Sequence, residues 1–71
     1  MARPRAADVY HVAVAQSSYV PARWEWEIYR NDQPLPIRLH EQDFRSERTA
    51  KAFGAVALRE FLEALSREQN L

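Results

Sequence analysis

Two carboxylates in a tryptophan-rich stretch are the first residues of this chain to examine for acid–base chemistry. Glu25 and Glu27 alternate with aromatic side chains in WEWEIYR, residues 24–30. In a strand they would share one face, roughly 7 Å apart. A catalytic pair needs a cleft that perturbs its pKa, and an open sheet face offers none. We therefore expect solvated charges, or cross-strand partners of Arg23 and Arg38.

The two histidines, His11 and His40, are the candidate metal ligands. If the tryptophan-rich strand lies between their strands, they are about 10 Å apart and need a carboxylate such as Glu25 or Glu27 to share a metal. That surface site is the minor alternative, and we predict no metal and no cofactor. With no Cys and a single Gly, the chain lacks thiolate ligands and a glycine-rich phosphate loop. We predict that it is not an enzyme.

The basic residues Arg45, Arg48 and Lys51, with Arg3 and Arg5, are the best sequence argument for nucleic-acid binding. The first three would lie at a helix start, where the helix dipole also favours a phosphate. Acidic side chains interleave with them, and the net charge of the chain is zero, whereas nucleic-acid-binding domains usually carry a basic excess. Solvated charge with local pairing is the interpretation we favour.

Size and composition limit the class of protein. The chain has 71 residues, of which 46% are hydrophobic, so it is too apolar for disorder but buries only a small core. Small domains without disulfides or metals often gain stability by self-association. The sequence has no apolar run of the length that crosses a membrane, and the lack of cysteine fits a reducing compartment. We expect a cytoplasmic protein that could form a homodimer.

The strands that would position these side chains follow from alternation. Residues 8–15, 23–30 and 35–40 are predicted strands, separated by a connection at 16–22 and a turn at 31–34. Pro34 and Pro36 cannot donate ladder hydrogen bonds, so the third strand is expected at an edge. The side chains predicted to point into the core are Tyr10, Val12, Val14, Trp24, Trp26, Ile28, Leu35, Ile37 and Leu39.

Residues 46–68 carry the clearest helical pattern. Ser46 is the expected N-cap, and apolar residues from Ala50 to Leu65 repeat at helical spacing. Gly54 lies within this stripe, and a close contact with Trp24 or Trp26 would explain a glycine there. Phe44 is expected to pack against Ala50 or Phe53, and Val56 and Leu62 would be partly exposed.

The segment from WEWEIYRND to FRSERTAKAFGAVAL resembles the uncharacterised YegP-type family of small β-β-α repeats. The corresponding residues are Trp24, Trp26, Phe44, Ser46, Lys51 and Ala52. The glycine-containing hairpin turn of that family is replaced here by NDQP. This resemblance implies a fold but no activity.

The strand WEWEI and the helix entry FRSERTAKAF are also similar to the plant AP2-type DNA-binding domain, a three-stranded sheet packed on a helix. That family reads the major groove with Arg and Trp side chains on its exposed sheet face. Here Glu25 and Glu27 occupy the exposed face, with Arg23 and Arg38 as its cations. The resemblance therefore implies the architecture more than the DNA-binding chemistry.

Together these patterns predict an α+β protein: a three-stranded antiparallel sheet packed on one C-terminal helix, in the order βββα. Residues 1–7 would form a flexible arm and residues 8–71 a single domain. We predict a non-enzymatic module that binds an unknown protein partner and self-associates; nucleic-acid binding is the alternative, through the open sheet face or through Arg45, Arg48 and Lys51. The candidate interaction surface consists of Arg23, Glu25, Glu27, Tyr29, Arg38 and His40.

Overall fold

The predicted α+β architecture is confirmed. The computed structural model describes residues 8–69, so the arm predicted at residues 1–7 lies outside the described residues. The strands are β1 (Tyr10–Tyr19), β2 (Ala22–Arg30), β3 (Gln33–Pro34) and β4 (His40–Phe44), and they precede one helix, α1 (Glu47–Gln69). The central strand β2 pairs antiparallel with β1 on one side and with β3 and β4 on the other.

The first hairpin is longer than the sequence pattern predicts. Most of the segment predicted as a connection, residues 16–22, continues the strands, because β1 runs to Tyr19 and β2 begins at Ala22. Only Val20 and Pro21, joined by a cis peptide bond, form the turn. Most residues of this segment have a low intrinsic preference for strands, so the sequence pattern does not predict one. The segment is extended because it pairs across the hairpin.

The second hairpin turns at Asn31 and Asp32, which both have positive φ angles, of 50° and 64°. Two such residues between paired strands are typical of a type I′ turn. The Asn31 side chain also accepts a hydrogen bond from the Val9 backbone N–H, at 2.9 Å. The predicted turn at 31–34 is thus two residues long, and Gln33 and Pro34 already belong to β3.

The third strand differs from the prediction of one continuous run over 35–40. Pro34 lies opposite Tyr29 and His40 lies opposite Glu27, so the chain uses four more residues than β2 over this distance. Residues 35–39 form a loop outside the regular ladder, because Pro36 has no N–H to donate. Ile37, predicted to be buried, is 80% exposed at this loop, and Leu39, also predicted to be buried, is 38% exposed.

The helix begins where the sequence predicts. The backbone N–H of Thr49 donates to Oγ of Ser46 at 3.1 Å, which confirms Ser46 as the N-cap. Phe44 packs against Phe53 with ring centroids 5.4 Å apart, so the aromatic residue before the cap fixes the entry of the chain into α1. Within residues 8–69, no helix is both long and apolar enough to cross a membrane.

The core lies between α1 and one face of the sheet. Trp26, Ile28 and Leu35 are at most 8% exposed, and partly buried apolar side chains surround them: Tyr10, Val12, Val14, Phe44, Ala57, Leu58 and Phe61. Tyr10 and Phe61 meet edge to face, with ring centroids 5.2 Å apart. The inward faces predicted for the first two strands are therefore confirmed for five of the six side chains, whereas Trp24 is only partly buried and is not part of this cluster.

Gly54 is the point of closest approach between the helix and the sheet. A Cβ atom at this residue would lie 2.7 Å from Cγ1 of Val12 and 3.0 Å from Cβ of Trp26. The predicted close contact at Gly54 is confirmed, with Trp26 as the tryptophan involved. No side chain fits there without displacing both strands' core residues.

Replacing Gly54 with alanine should therefore destabilise the protein although alanine is the better helix former. The helix gains about 1 kcal/mol of propensity, but crowding against Val12 and Trp26 costs about 1–3 kcal/mol. We expect the free energy of unfolding, measured by urea denaturation, to fall by about 1 kcal/mol. In a Val12→Ala background the same substitution should cost less. A more stable Gly54→Ala protein would contradict the tight contact.

Candidate functional site

The face of the sheet opposite α1 carries most of the polar residues selected from the sequence; we call it the outer face. It takes its side chains from alternate residues of β1 and β2 and from the loop and strand that follow. Its described residues include His11, Ala13, Ala15, Glu25, Glu27, Tyr29, Arg38 and His40. In the candidate surface only Arg23 stands apart, at the start of β2, where its guanidinium donates to the Ala22 carbonyl at 2.8 Å.

An ion pair between Glu27 and Arg38 occupies the middle of the outer face. Nε and Nη2 of Arg38 donate to the two carboxylate oxygens of Glu27, at 2.8 and 2.7 Å. Such parallel bonds are the strongest geometry available to this pair of side chains. The cross-strand partnership expected between Glu27 and Arg38 is confirmed. Glu27 is only 7% exposed, so of the two alternatives the partnership with Arg38 describes this residue, and a solvated charge does not.

The electrostatic surroundings of Glu27 favour its charged form. The hydrogen bonds from Arg38 hold the pKa of Glu27 below its usual value, against the opposing effect of burial, and the charges of Arg38 and His40 act in the same direction as the bonds. In return, the hydrogen bonds and charge of Glu27 raise the pKa of Arg38. A carboxylate stabilised as an anion in this way is a poor general base near neutral pH.

The ion pair also fixes the loop at residues 35–39. Leu35 anchors the start of the loop in the core, Arg38 is bound to Glu27, and the Leu39 carbonyl accepts from the Ile28 N–H at 2.9 Å. These three attachments within five residues hold the loop in place, and Ile37 is its most exposed large apolar side chain. The exposed Ile37 side chain is therefore presented on a well-anchored loop.

His11 belongs to the outer face although it was not among the candidate surface residues. Its ring lies 5.5 Å from that of Tyr29, its direct cross-strand neighbour, and its Nε2 atom is 4.0 Å from Oδ1 of Asp32. Period-two alternation along β1 predicts this placement of His11 on the face away from the core. β2 separates His11 from His40, and no group of residues within 8–69 is arranged to hold a metal ion.

The basic residues proposed for nucleic acid lie around the start of α1. Arg45, Arg48 and Lys51 are all exposed. The Ser46 cap already uses the Thr49 N–H, which is one of the donors that a phosphate at this helix end would need. Arg3 and Arg5, the other members of the sequence cluster, lie outside the described residues.

The fold and this face define a small α+β protein in which one helix covers one side of an antiparallel sheet. No protein-family model, curated protein or solved structure matches the chain. The resemblances to the YegP-type and AP2-type families therefore stay predictions, and the function has to be argued from the geometry.

The Glu27–Arg38 pair should make stability depend on pH. Because the folded-state pKa of Glu27 is lowered, the pair contributes fully above the pKa of an unfolded glutamate, about 4.3, and this contribution is lost as the pH falls through the lower folded value. Glu27→Gln should therefore be less stable than the parent protein at pH 6, and the difference should shrink below about pH 4.

The measurement is urea denaturation of both proteins between pH 3 and 7, followed by circular dichroism. Glu25→Gln is the matched control, since Glu25 lies on the same face but makes no hydrogen bond to Arg38 within the described chain, and it should cause a smaller difference. A Glu27→Gln effect that is constant across this range would contradict the role of the ion pair.

Proposed function

We propose that this protein is a non-enzymatic, cytoplasmic interaction module that acts as a homodimer. The observation that carries the proposal is the free edge of β1. This ten-residue strand pairs with β2 on one side, and no strand within residues 8–69 pairs with its other side. A long unpaired edge is a template for another strand.

The residues of β1 do nothing to discourage such pairing. Natural proteins protect sheet edges with lysine, proline or inward-pointing charge. The sequence YHVAVAQSSY contains no Asp, Glu, Lys, Arg or Pro. Its only irregularity is a bulge at Ser17, between Gln16 and Ser18, so the first seven residues form a regular edge.

The opposite edge of the sheet is protected. Pro34 and Pro36 lack donors, the loop at residues 35–39 leaves the ladder, and β4 has a register shift between Glu41 and Phe44, where Asp43 has a φ of 73°. Glu41 and Asp43 add charge to this edge. This contrast supports β1 as the edge through which the protein associates.

The small core supports the same proposal. Trp26, Ile28, Leu35 and Ala50 are its buried apolar side chains within residues 8–69, while Leu62 and Val56 on α1 are each 42% exposed. A chain of this size gains from burying more apolar surface in a partner. In the dimer, the outer face and the anchored Ile37 loop stay accessible and are where a second protein would bind.

The proposal predicts the solution mass. Sedimentation equilibrium or light scattering from micromolar to millimolar protein should give twice the 8.3 kDa mass of the chain, with dissociation only on dilution. A mass of one chain across the whole range would overturn the proposal. The measurement needs about 0.15 M salt, because salt screens the repulsion between charged molecules that would otherwise distort the apparent mass.

Nucleic-acid binding is the second candidate, supported by the exposure of Arg45, Arg48 and Lys51. It predicts a gel shift of DNA or RNA that weakens with salt and is reduced by Arg48→Glu. Arg67→Glu is the matched control, since Arg67 is also an exposed arginine and lies at the other end of α1. No shift at low salt would remove this candidate.

A further inference from the structure

The free edge of β1 has a definite pattern of backbone groups. The Ile28 N–H donates to Leu39, on the side of β2 away from β1. Backbone groups alternate along a strand, so those of the neighbouring residues Glu27 and Tyr29 face β1. Their direct partners are Ala13 and His11. The odd-numbered residues of β1 therefore use their N–H and C=O groups inside the chain.

A second hydrogen bond fixes the same alternation from the other strand. The Asn31 N–H donates to the Val9 carbonyl at 2.8 Å, so Val9 also directs its backbone toward β2. The even-numbered residues then direct their N–H and C=O groups toward the free edge. These residues are Tyr10, Val12, Val14 and Gln16.

This set of residues is complementary to itself. In antiparallel pairing, two residues whose groups both face the partner exchange two hydrogen bonds. Placing Ala13 opposite Ala13 of a second chain sets Val12 opposite Val14 and Tyr10 opposite Gln16, on both sides of a two-fold axis. All four edge-facing residues are then used, which gives about eight backbone hydrogen bonds. If the second strand is shifted by two residues from this register, one of the four edge-facing residues in each chain has no edge-facing residue opposite it.

The side chains fit this register as well. On the helix side, valines lie opposite valines, a favourable β-branched pairing that extends the apolar core. On the outer face, alanine meets alanine at the axis and His11 meets Ala15. The register opposes no like charges, because the strand carries no Asp, Glu, Lys or Arg.

An exposed apolar flank of the helix lies above the same edge. Phe53 contacts Phe44 in β4, so its side of α1 faces away from β1. Leu62 is nine residues further on, which at about 100° per residue places it on the opposite side, and its neighbour Phe61 contacts Tyr10 in β1. The two-fold axis would bring a second helix to this flank and cover Leu62.

We infer that two copies of this chain pair antiparallel through β1, with Ala13 on the two-fold axis. The result is one continuous sheet across both chains, with both helices on the same face. This inference rests on the proposed homodimer and specifies its interface. It places the outer faces of the two chains side by side, as one extended polar surface.

Single cysteines test the register, because the natural chain has none. The backbone groups of Ala13 face away from the partner strand, so Ala13 and its copy form a non-hydrogen-bonded pair. The Cα atoms of such a pair are about 4.5 Å apart, a distance that a disulfide between two Ala13→Cys chains can span. Ala15→Cys is the matched control on the same strand and face, since its opposite residue is His11. Under mild oxidation we expect Ala13→Cys to form a disulfide-linked dimer at least about tenfold faster than Ala15→Cys.

The outcomes separate the interface from the dimer itself. If the natural protein is a dimer by mass but Ala13→Cys crosslinks no faster than Ala15→Cys, the register is wrong and the homodimer stands. Fast crosslinking of both variants would indicate a parallel, in-register pairing and overturn the inference. A monomeric natural protein would overturn both proposals. Circular dichroism of each reduced variant verifies that the substitution leaves the fold intact.

Discussion

The close contact of α1 with the sheet at Gly54 is the constraint on which the rest of this structure depends. The helix approaches until a Cβ atom would overlap Val12 and Trp26, and this distance sets what the core can hold. The packed core also has a cost, because Nε1 of Trp26 and the hydroxyl of Tyr10 are buried without a hydrogen-bond partner among residues 8–69. Leaving a buried donor unpaired costs about 1–3 kcal/mol, so apolar packing has to outweigh it.

In the loop at residues 35–39, a polar interaction holds a segment that core packing alone does not fix. Leu35 enters the core, and the chain then leaves the ladder at Pro36 before it rejoins β2 at His40. The two hydrogen bonds from Arg38 to Glu27 hold this detour against the outer face. The ion pair thus attaches to β2 a loop that makes only one backbone hydrogen bond to this strand within the described residues, from the Ile28 N–H to the Leu39 carbonyl. The detour leaves this edge of the sheet irregular, and an irregular edge is a poor template for another strand.

Local patterns predict much of this fold, and they are insufficient where pairing overrides propensity. The N-cap Ser46, the stripe around Gly54 and the inward face of β2 follow from spacing and helix chemistry alone. Ile37 does not, because alternation predicts burial whereas the four extra residues between Pro34 and His40 carry it to the surface. For the candidate site, alternation placed Glu27 and Arg38 on one face. It also suggested their partnership, but it could not predict that Glu27 is buried, since this depends on the detour of the chain.

The difference between the two edges of the sheet is more informative than either edge alone. Alanine is a poor strand former and valine a good one, so Ala13 and Ala15 are not the residues that would best stabilise β1 in isolation. Charged or hydroxyl side chains at these outer-face positions would serve a solvent-exposed edge better and would also prevent association. At a two-fold axis, however, a small uncharged residue lets two identical strands approach without steric or electrostatic conflict. Alanine on the free edge, opposite an edge interrupted by proline and charge, is therefore compatible with the proposed pairing of this strand with its own copy.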